Sequence, residues 1–308
     1  MTVKYLVLSG GGPSLFGIFG AVRELHVKQK WNINNIESIY GCSSGALLAI
    51  LLCLVRKGLT FEELEDYLIN RSWDVLVTSK VLGVQNAFTS KGLFDKSLLL
   101  KAISPLFSTV GLSPSISLRE LCDECGIRIY MYAVDVNTKP LSKIELSEHN
   151  YSGLPVYELL TMTMGLPGLI TPSFIEDKCL IDGGLMINFP IKECIVRENP
   201  RRDEVLGFKI EWTQRDLRLK EDTNFLSFMA HLMKMMAFHI DHTESEIEHE
   251  YDVVSCSIPD VGGPSGWINV FIDASSREAF VKHGVESAIR FIVDHQETSS
   301  RTQQECHT

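Results

Sequence analysis

The stretch Gly41-Cys42-Ser43-Ser44-Gly45 has the form G-x-S-x-G and lies between two apolar segments. The segment before it, Ile36–Tyr40, alternates like a short strand, and Ala46–Leu52 after it continues as a buried helix. A strand, a sharp turn and a helix in this order form a nucleophile elbow, which holds its central serine clear of the backbone. The pattern predicts such an elbow at Ser43, with a glycine-bounded structural turn as the alternative interpretation.

The residues beside Ser43 have the properties that this turn requires. Gly41 and Gly45 permit tight backbone geometry because they have no side chain. The backbone N–H of Ser44 is expected to point from the start of the helix toward an oxyanion formed on a substrate. Cys42 also adjoins the serine, but its side chain is expected to point away at the turn. We therefore expect an oxygen nucleophile rather than a sulfur nucleophile.

A run of glycines follows the first predicted strand, Tyr5–Leu8. Gly10, Gly11 and Gly12 carry backbone N–H groups that can cradle an anion where the next helix begins. The dinucleotide-binding pattern G-x-G-x-x-G fails because Leu15 occupies its last glycine position. The run is therefore interpreted either as an oxyanion loop or as a simple tight turn.

A carboxylate follows a short apolar strand later in the chain, in Asp182-Gly183-Gly184. In isolation, an aspartate before glycines is most often a turn residue or a helix cap. A serine hydroxyl is a weak nucleophile until a base removes its proton, and Asp182 is a candidate base if it lies within hydrogen-bonding reach of Ser43. The glycine loop, the elbow and this carboxylate together are the parts of an acyl-transfer site.

The order and spacing of these motifs resemble the patatin-like phospholipases, from Leu6 to Pro190. The matching pieces are LSGGG at Leu8–Gly12 before Gly20-Ala21, GCSSGA at Gly41–Ala46, GLFD at Gly92–Asp95, AVDVNT at Ala133–Thr138, GLPGLITPSF at Gly165–Phe174 and IDGGLMINFP at Ile181–Pro190. The resemblance implies a patatin-like three-layer α/β/α sandwich with a Ser–Asp dyad that hydrolyses acyl esters of lipids. It implies neither a metal nor a cofactor.

By this resemblance Ser43 would be the nucleophile and Asp182 the base. The backbone N–H groups of Gly11, Gly12 and Ser44 would form the oxyanion hole. The family usually continues its glycine run as G-G-G-x-[RK]-G, whereas this chain has Ser14 and Leu15 in place of the basic residue and the last glycine. The departure leaves the geometry of the loop and the recognition of a phosphate head group open.

Strand-like and helix-like segments alternate along the chain, which independently predicts a mainly parallel sheet covered on both faces. The site is expected at the C-terminal ends of the strands. We expect one catalytic domain over residues 1–295 and a polar, disordered tail over residues 296–308. The predicted strands are Tyr5–Leu8, Ile36–Tyr40, Ile127–Val136, Cys179–Ile181, Val205–Ile210 and Val253–Ile258, and the predicted helices are Phe16–Lys28, Ala46–Lys57, Thr60–Leu68 (with a capping box from Thr60 to Glu63), Lys96–Phe107, Val156–Met164 and Ser276–Asp294.

The 308 residues carry a net charge of −10, which argues against a nucleic-acid partner because phosphate binding needs a basic surface. No apolar run approaches the roughly 20 residues that span a bilayer, and the N-terminal segment does not resemble a signal peptide. We therefore expect a cytoplasmic protein that contacts membranes, if at all, peripherally and through apolar residues. The lone C-x-x-C at Cys122–Cys125 has no second pair at zinc spacing, so free thiols are expected.

The predicted activity is hydrolysis of a lipid ester, as a phospholipase A-type enzyme, a lysophospholipase or an acylglycerol esterase. One alternative is a non-catalytic lipid-binding or regulatory protein on the same scaffold. A second alternative is a Ser-His-Asp esterase, because histidines follow Asp182 in the order that such enzymes require. The candidate histidines are at positions 231, 239, 242, 249, 283 and 295.

Two later segments are candidates for contact with lipid. Phe225–Ile240 is rich in Met and Phe and is interpreted either as a soft acyl-binding wall or lid, or as a core helix covering the sheet. Gly262–Trp267 is predicted to be a loop that brings Trp267 near the surface, either as an interfacial anchor or as a packed core residue.

Overall fold

The computed structural model describes residues 2–73, 89–211, 249–257 and 264–305, together with scattered positions between 219 and 261. Within these residues the strands are β1 Tyr5–Leu8, β2 Ser38–Cys42, β3 Gly92–Phe94, β4 Arg128–Asp135, β5 Ser142–Ser147, β6 Gly168–Ile170, β7 Ser173–Ile175, β8 Lys178–Asp182, β9 Val205–Glu211 and β10 Asp252–Ser257. The helices are α1 Ser14–Val27, α2 Ser44–Arg56, α3 Phe61–Asn70, α4 Lys96–Thr109, α5 Leu118–Cys125, α6 Val156–Thr163, α7 Ile191–Glu198, α8 Pro264–Ile272 and α9 Ala274–Glu305.

The central sheet has the strand order β10-β9-β1-β2-β4-β8-β7, with β5 paired to β4 beside this path. The strands from β10 to β4 run parallel to one another. In contrast, β5 and β8 run antiparallel to β4, and β7 runs antiparallel to β8. A separate two-stranded parallel sheet is formed by β3 and β6. The predicted mainly parallel sheet is confirmed, with an antiparallel part at one end.

The strand β4 brings two distant parts of the chain together. Along one edge, β2 pairs with the first part of β4 and ends with Cys42 opposite Tyr132. On that same edge β8 pairs with the last part of β4 and ends with Asp182 opposite Ala133, because β5 occupies the other edge from Tyr130 onward. The strands β2 and β8 therefore run toward each other, and their C-terminal ends meet at neighbouring positions of β4.

Both faces of the sheet are covered, which gives the three layers that the sequence predicts. Alternate residues of a strand point to opposite faces, and in the parallel strands both sets are apolar or aromatic. One face packs against α1, α2 and α9 in the larger core; its sheet residues include Leu6, Leu8, Ile39, Ile129 and Met131. The other face packs against the segment Ile187–Cys194; its sheet residues include Tyr5, Val7, Tyr40, Tyr130 and Tyr132.

Several predicted boundaries differ from the observed ones by about two residues. The strand predicted at Ile36–Tyr40 is β2, which starts at Ser38 and extends to Cys42, immediately before the serine. The capping box is confirmed, since Glu63 N–H donates to Thr60 Oγ1 at 3.1 Å and Thr60 N–H donates to Glu63 Oε2 at 2.8 Å. The helices α5, α7 and α8 and the strands β3, β5, β6 and β7 are additional to the prediction.

The C-terminal helix α9 extends to Glu305, past the predicted end at Asp294. The division into a domain over residues 1–295 and a tail stays a prediction. The seven described cysteines are buried free thiols, as expected. In the described part of the chain, no helix is both long enough and apolar enough to cross a bilayer.

Candidate active site

Ser43 occupies a strained turn between β2 and α2. Its backbone has φ 51° and ψ −122°, a region that residues with a side chain rarely adopt and that costs about 1–3 kcal/mol. The helix α2 begins at the next residue, Ser44, and a Cβ atom at Gly45 would lie only 2.3 Å from the Leu8 carbonyl oxygen. The glycine therefore permits α2 to start directly against the end of β1. This local geometry is that of the predicted elbow.

Thr163, at the C-terminal end of α6, ties the elbow to the sheet. Its hydroxyl donates to the Tyr132 carbonyl oxygen at 2.6 Å and accepts the Ser43 backbone N–H at 3.0 Å. All three groups are buried, so each of these bonds satisfies a polar group that has no access to water. Sequence reasoning missed Thr163, although it lies two residues before the GLPGLITPSF motif at Gly165–Phe174.

Asp182 lies beside Ser43 at the end of β8. The Ser43 hydroxyl donates to Asp182 Oδ2 at 2.6 Å, and the Gly184 N–H donates to Asp182 Oδ1 at 2.7 Å. The Asp182 backbone N–H donates to the Gly165 carbonyl oxygen at 3.1 Å, which holds the residue from a second side. The structure thus brings the predicted nucleophile and the predicted base into direct contact, each only 7% exposed.

Burial raises the pKa of Asp182 from 3.8 to about 6, although the hydrogen bonds from Ser43 and Gly184 act in the opposite direction. A carboxylate with this pKa holds a proton more strongly than an ordinary aspartate does, yet it is mostly ionised at neutral pH. Both properties suit a group that must take up a proton and return it.

Among the described residues, no histidine contacts Ser43 Oγ or either carboxylate oxygen of Asp182. His283 lies 3.9 Å from Glu286, and His295 lies 3.3 Å from Asp252. His239 and His242 lie outside the described residues. The direct contact between serine and aspartate occupies the position at which a histidine would stand in a Ser-His-Asp site.

Cys42, next to the serine, is fully buried. Burial and the nearby charge of Asp182 raise the pKa of its thiol well above the usual value. A thiol of this kind is protonated at neutral pH and is a poor nucleophile. This agrees with the expectation of an oxygen nucleophile.

The glycine loop lies directly against the elbow. A Cβ atom at Gly10 would be 3.0 Å from the Ser43 Cβ, so the backbone of the loop can approach the serine only because residue 10 has no side chain. Asn188, six residues after Asp182, holds the loop in place with two hydrogen bonds to Gly10. Its carbonyl oxygen accepts the Gly10 N–H at 3.0 Å, and its Nδ2 donates to the Gly10 carbonyl oxygen at 3.3 Å.

Three backbone N–H groups of this region lack a hydrogen-bond acceptor among the described residues, those of Gly11, Gly12 and Ser44. Gly11 has φ 156° and Gly12 has φ 58°, both outside the range that other residues readily adopt. Ser44 is the first residue of α2, where the N–H groups of a helix have no partner within the helix. These N–H groups are therefore free to donate to an anion.

The residues that replace the basic residue and the glycine of the family pattern stabilise the loop from within. The Ser14 hydroxyl donates to the Gly11 carbonyl oxygen at 2.7 Å. The Ser14 N–H donates to the same oxygen at 3.2 Å, and the Leu15 N–H donates to the Gly12 carbonyl oxygen at 3.1 Å. Both side chains are buried, so the glycine loop is held by neutral hydrogen bonds and apolar packing.

Trp267 covers the outer side of the glycine loop. A Cβ atom at Gly12 would lie 2.9 Å from two carbon atoms of the indole ring, so the ring is packed against this glycine. The prediction that Trp267 lies in a loop is wrong, because the residue belongs to α8, in which apolar residues pack against the neighbouring sheet. Gly262 and Gly263, and ten of the sixteen residues of Phe225–Ile240, lie outside the described residues.

A family model for patatin-like phospholipases matches residues 6–195, which is more than half of the chain. This chain belongs to the patatin-like phospholipase family. As the motifs predict, membership makes it a hydrolase that acts on lipid esters. The matched range includes the glycine loop, the elbow and the aspartate, so the family likeness and the geometry concern the same part of the molecule.

Similar proteins occur in large viruses and in a bacterium. A probable lipid hydrolase of Invertebrate iridescent virus 6 is 25% identical over 214 residues, 68% of each chain. An uncharacterized protein of Acanthamoeba polyphaga mimivirus is 23% identical over 61% of this patatin-like chain and 60% of its own. The crystal structure of VipD from Legionella pneumophila matches 96% of this chain and 67% of its own with a TM-score of 0.54 and 16% identity, which shows a shared fold.

Proposed function

We propose that this patatin-like protein hydrolyses lipid acyl esters with a Ser43–Asp182 dyad. The observation that supports the proposal most directly is the 2.6 Å hydrogen bond from Ser43 Oγ to Asp182 Oδ2. At this distance a proton passes from the hydroxyl to the carboxylate without an intervening histidine. The strained backbone of Ser43 supports the same role, because strain of this kind is concentrated at functional sites.

In the first half of the proposed reaction, Ser43 Oγ attacks the carbonyl carbon of the ester while Asp182 Oδ2 takes the hydroxyl proton. The carbonyl oxygen becomes an oxyanion, to which the N–H groups of Gly11, Gly12 and Ser44 donate. The bond from carbon to the alcohol oxygen then breaks. Asp182 returns its proton to the leaving alcohol, and the acyl group stays on Ser43.

In the second half, Asp182 accepts a proton from a water molecule, whose oxygen attacks the acyl carbon. The same three N–H groups stabilise the second oxyanion. When this intermediate collapses, Ser43 Oγ leaves and regains a proton from Asp182, and the fatty acid is released. A pKa of about 6 suits this alternation between base and acid near neutral pH.

The proposed substrates are phospholipids, lysophospholipids and acylglycerols, which share the carboxylic ester that the dyad attacks. The position of the family's basic residue is occupied by Ser14, which is neutral and whose hydroxyl is bonded to the Gly11 carbonyl oxygen. This position therefore offers no charge to a phosphate. Neutral acylglycerols therefore belong in the substrate panel beside the phosphate-bearing lipids. Because these substrates reside in lipid assemblies, we also propose peripheral contact with a lipid surface.

The test is covalent labelling with a fluorophosphonate, which reacts with activated serine hydroxyls, together with hydrolysis of a p-nitrophenyl ester. We expect labelling at Ser43 in the natural protein and neither labelling nor hydrolysis in Ser43→Ala. The matched control is Cys42→Ala, which removes the neighbouring thiol and retains labelling. Binding of lipid without any labelling would instead favour the non-catalytic lipid-binding protein.

A further inference from the structure

An apolar cluster that is only partly closed lies beside the candidate active site. It joins the small sheet of β3 and β6 to α8. Phe94 and Ile170 are buried at its centre, while its other members keep part of their surface exposed: Leu93, Leu98, Met164, Leu169, Ile268 and Phe271. We call this set the α8 cluster. A closed core would bury most of its members, so the α8 cluster has apolar surface available for a further apolar group.

Two members of the α8 cluster are chain neighbours of residues that contact the site. Met164 stands between Thr163, which accepts the Ser43 N–H, and Gly165, whose carbonyl oxygen accepts the Asp182 N–H. Ile268, on α8, directly follows the residue whose indole ring covers Gly12. The chain therefore connects the cluster directly to the supports of the serine and aspartate at Met164, and to the residue that packs on the glycine loop at Ile268.

The helix α8 is firmly attached at its C-terminal end. Arg277 is 2% exposed, and its guanidinium donates to the carbonyl oxygens of Val270 and Phe271 in the last turn of α8. The same guanidinium donates to the Ile69 carbonyl oxygen at the end of α3, with Nε at 3.0 Å. The Phe271 ring also packs edge-on against Phe16, at a centroid distance of 5.6 Å. These contacts fix the position of α8 beside the cluster.

We propose that the α8 cluster binds the acyl chain of the substrate, with Trp267 and Ile268 as the residues that select its length. This inference rests on the proposed function, because it assumes that the ester carbonyl lies between Ser43 Oγ and the N–H groups of the glycine loop. From that position the acyl chain would extend toward Met164 and α8. The polar alcohol portion gains nothing from an apolar wall, whereas the acyl chain gains from each methylene removed from water.

Selectivity follows from the number of methylenes in contact with the wall. Each buried methylene is expected to raise kcat/KM about fourfold until the wall is covered. The test measures kcat/KM for p-nitrophenyl esters from acetate to dodecanoate with the natural protein, Ile268→Ser, Trp267→Ala and Trp267→Phe. We expect the decanoate-to-butanoate ratio to fall at least tenfold in Ile268→Ser and Trp267→Ala and to be retained in Trp267→Phe.

The matched control is Ile272→Ser on the same helix, because Ile272 is 44% exposed and lies outside the cluster. This variant should keep the natural ratio. A uniform decrease at all chain lengths in Trp267→Ala, with an unchanged ratio, would mean that the indole only supports Gly12. An unchanged ratio in Ile268→Ser as well would overturn the inference.

A second readout separates this inference from the proposed function. Fatty acids from butanoate to dodecanoate are titrated against Ser43→Ala, with and without Ile268→Ser, and their dissociation constants are compared. We expect affinity to increase with chain length and Ile268→Ser to weaken that increase. If this dependence is found while the natural protein hydrolyses no ester, the acyl site stands and the proposed function fails. If the natural protein hydrolyses esters and neither readout depends on residue 268, the proposed function stands and the acyl site fails.

Discussion

The elbow at Ser43 and the glycine loop at Gly10–Gly12 adjoin each other, but they are held in different ways. The elbow is built mainly by its chain neighbours, and two side chains from elsewhere, Thr163 and Asp182, bond to Ser43. The loop depends on contacts from three parts of the chain, namely Ser14, Asn188 and Trp267. A short sequence motif therefore predicts the elbow, whereas the shape of the loop depends on residues that lie far apart in the sequence.

The largest effect is expected where the elbow meets its partner strand. Asp182→Asn keeps an oxygen for the Gly184 N–H but cannot take up the Ser43 proton. We expect kcat/KM for ester hydrolysis to fall by about 10²–10⁴, the usual contribution of a general base. In the natural protein, kcat/KM should also decrease below the Asp182 pKa of about 6. A variant with nearly full activity would remove Asp182 from the mechanism.

The same variant should be more stable than the natural protein above pH 6. The pKa of Asp182 is raised from 3.8 to about 6 in the folded protein, so the folded state binds the proton more tightly than the unfolded state does. The contribution of Asp182 to folding therefore becomes less favourable as the pH rises through this window, by up to about 3 kcal/mol. Asn does not titrate. Urea unfolding at pH 4.5 and pH 8 should show an advantage of Asp182→Asn that grows with pH; no growth would contradict the raised pKa.

A substitution in the loop tests its dependence on remote contacts. In Gly12→Ala the added Cβ meets the Trp267 ring at 2.9 Å on a backbone with φ 58°. Displacing one of the proposed oxyanion donors should lower kcat about 100-fold. The control is Gly126→Ala, which has a similar φ of 68° with open space around it. It should lose about 1 kcal/mol of stability and no activity. Equal effects on kcat would show that the loop has no special role.

A smaller effect is expected from the side chain that supports the elbow. Thr163→Val has nearly the same shape but leaves the Ser43 N–H and the Tyr132 carbonyl oxygen without a partner. Each buried unpaired group costs about 1–3 kcal/mol, and we expect a kcat/KM about tenfold lower through displacement of the serine. The control is Thr161→Val on the same helix, which removes only a bond to the Tyr157 carbonyl oxygen. Comparable activity of the two variants would contradict the role given to Thr163.

The smallest effect concerns the residue that departs from the family pattern. Ser14→Ala removes one neutral hydrogen bond to the Gly11 carbonyl oxygen, worth about 1 kcal/mol, so kcat/KM should fall about fivefold. Ser104→Ala, which removes a hydroxyl bond to the Leu100 carbonyl oxygen within α4, is the control for stability without a change in rate. If Ser14→Ala has the activity of the control, the loop is held by its other contacts alone.

Much of the fold could be predicted from periodicity, because the strands of the parallel part are short apolar runs between helical segments. The antiparallel direction of β8 could not be predicted, since Lys178–Asp182 has the same composition in either direction. Nor could the helical state of Trp267, which follows three glycines and a proline that favour a turn. In that segment, packing against Phe94 and Ile170 outweighs the local preference.

The amino-acid sequence was sufficient to identify the elbow, the glycine loop and the aspartate, because each depends on backbone preferences over a few neighbouring residues. No local pattern in the sequence explains why the elbow and the aspartate meet. Ser43 and Asp182 are 139 positions apart, and their contact arises because β2 and β8 end head to head on one edge of β4. Strand register and helix packing act across the whole chain, so only the tertiary structure decided the contact between Ser43 and Asp182, the support of the loop by Asn188 and Trp267, and the position of α8 beside it.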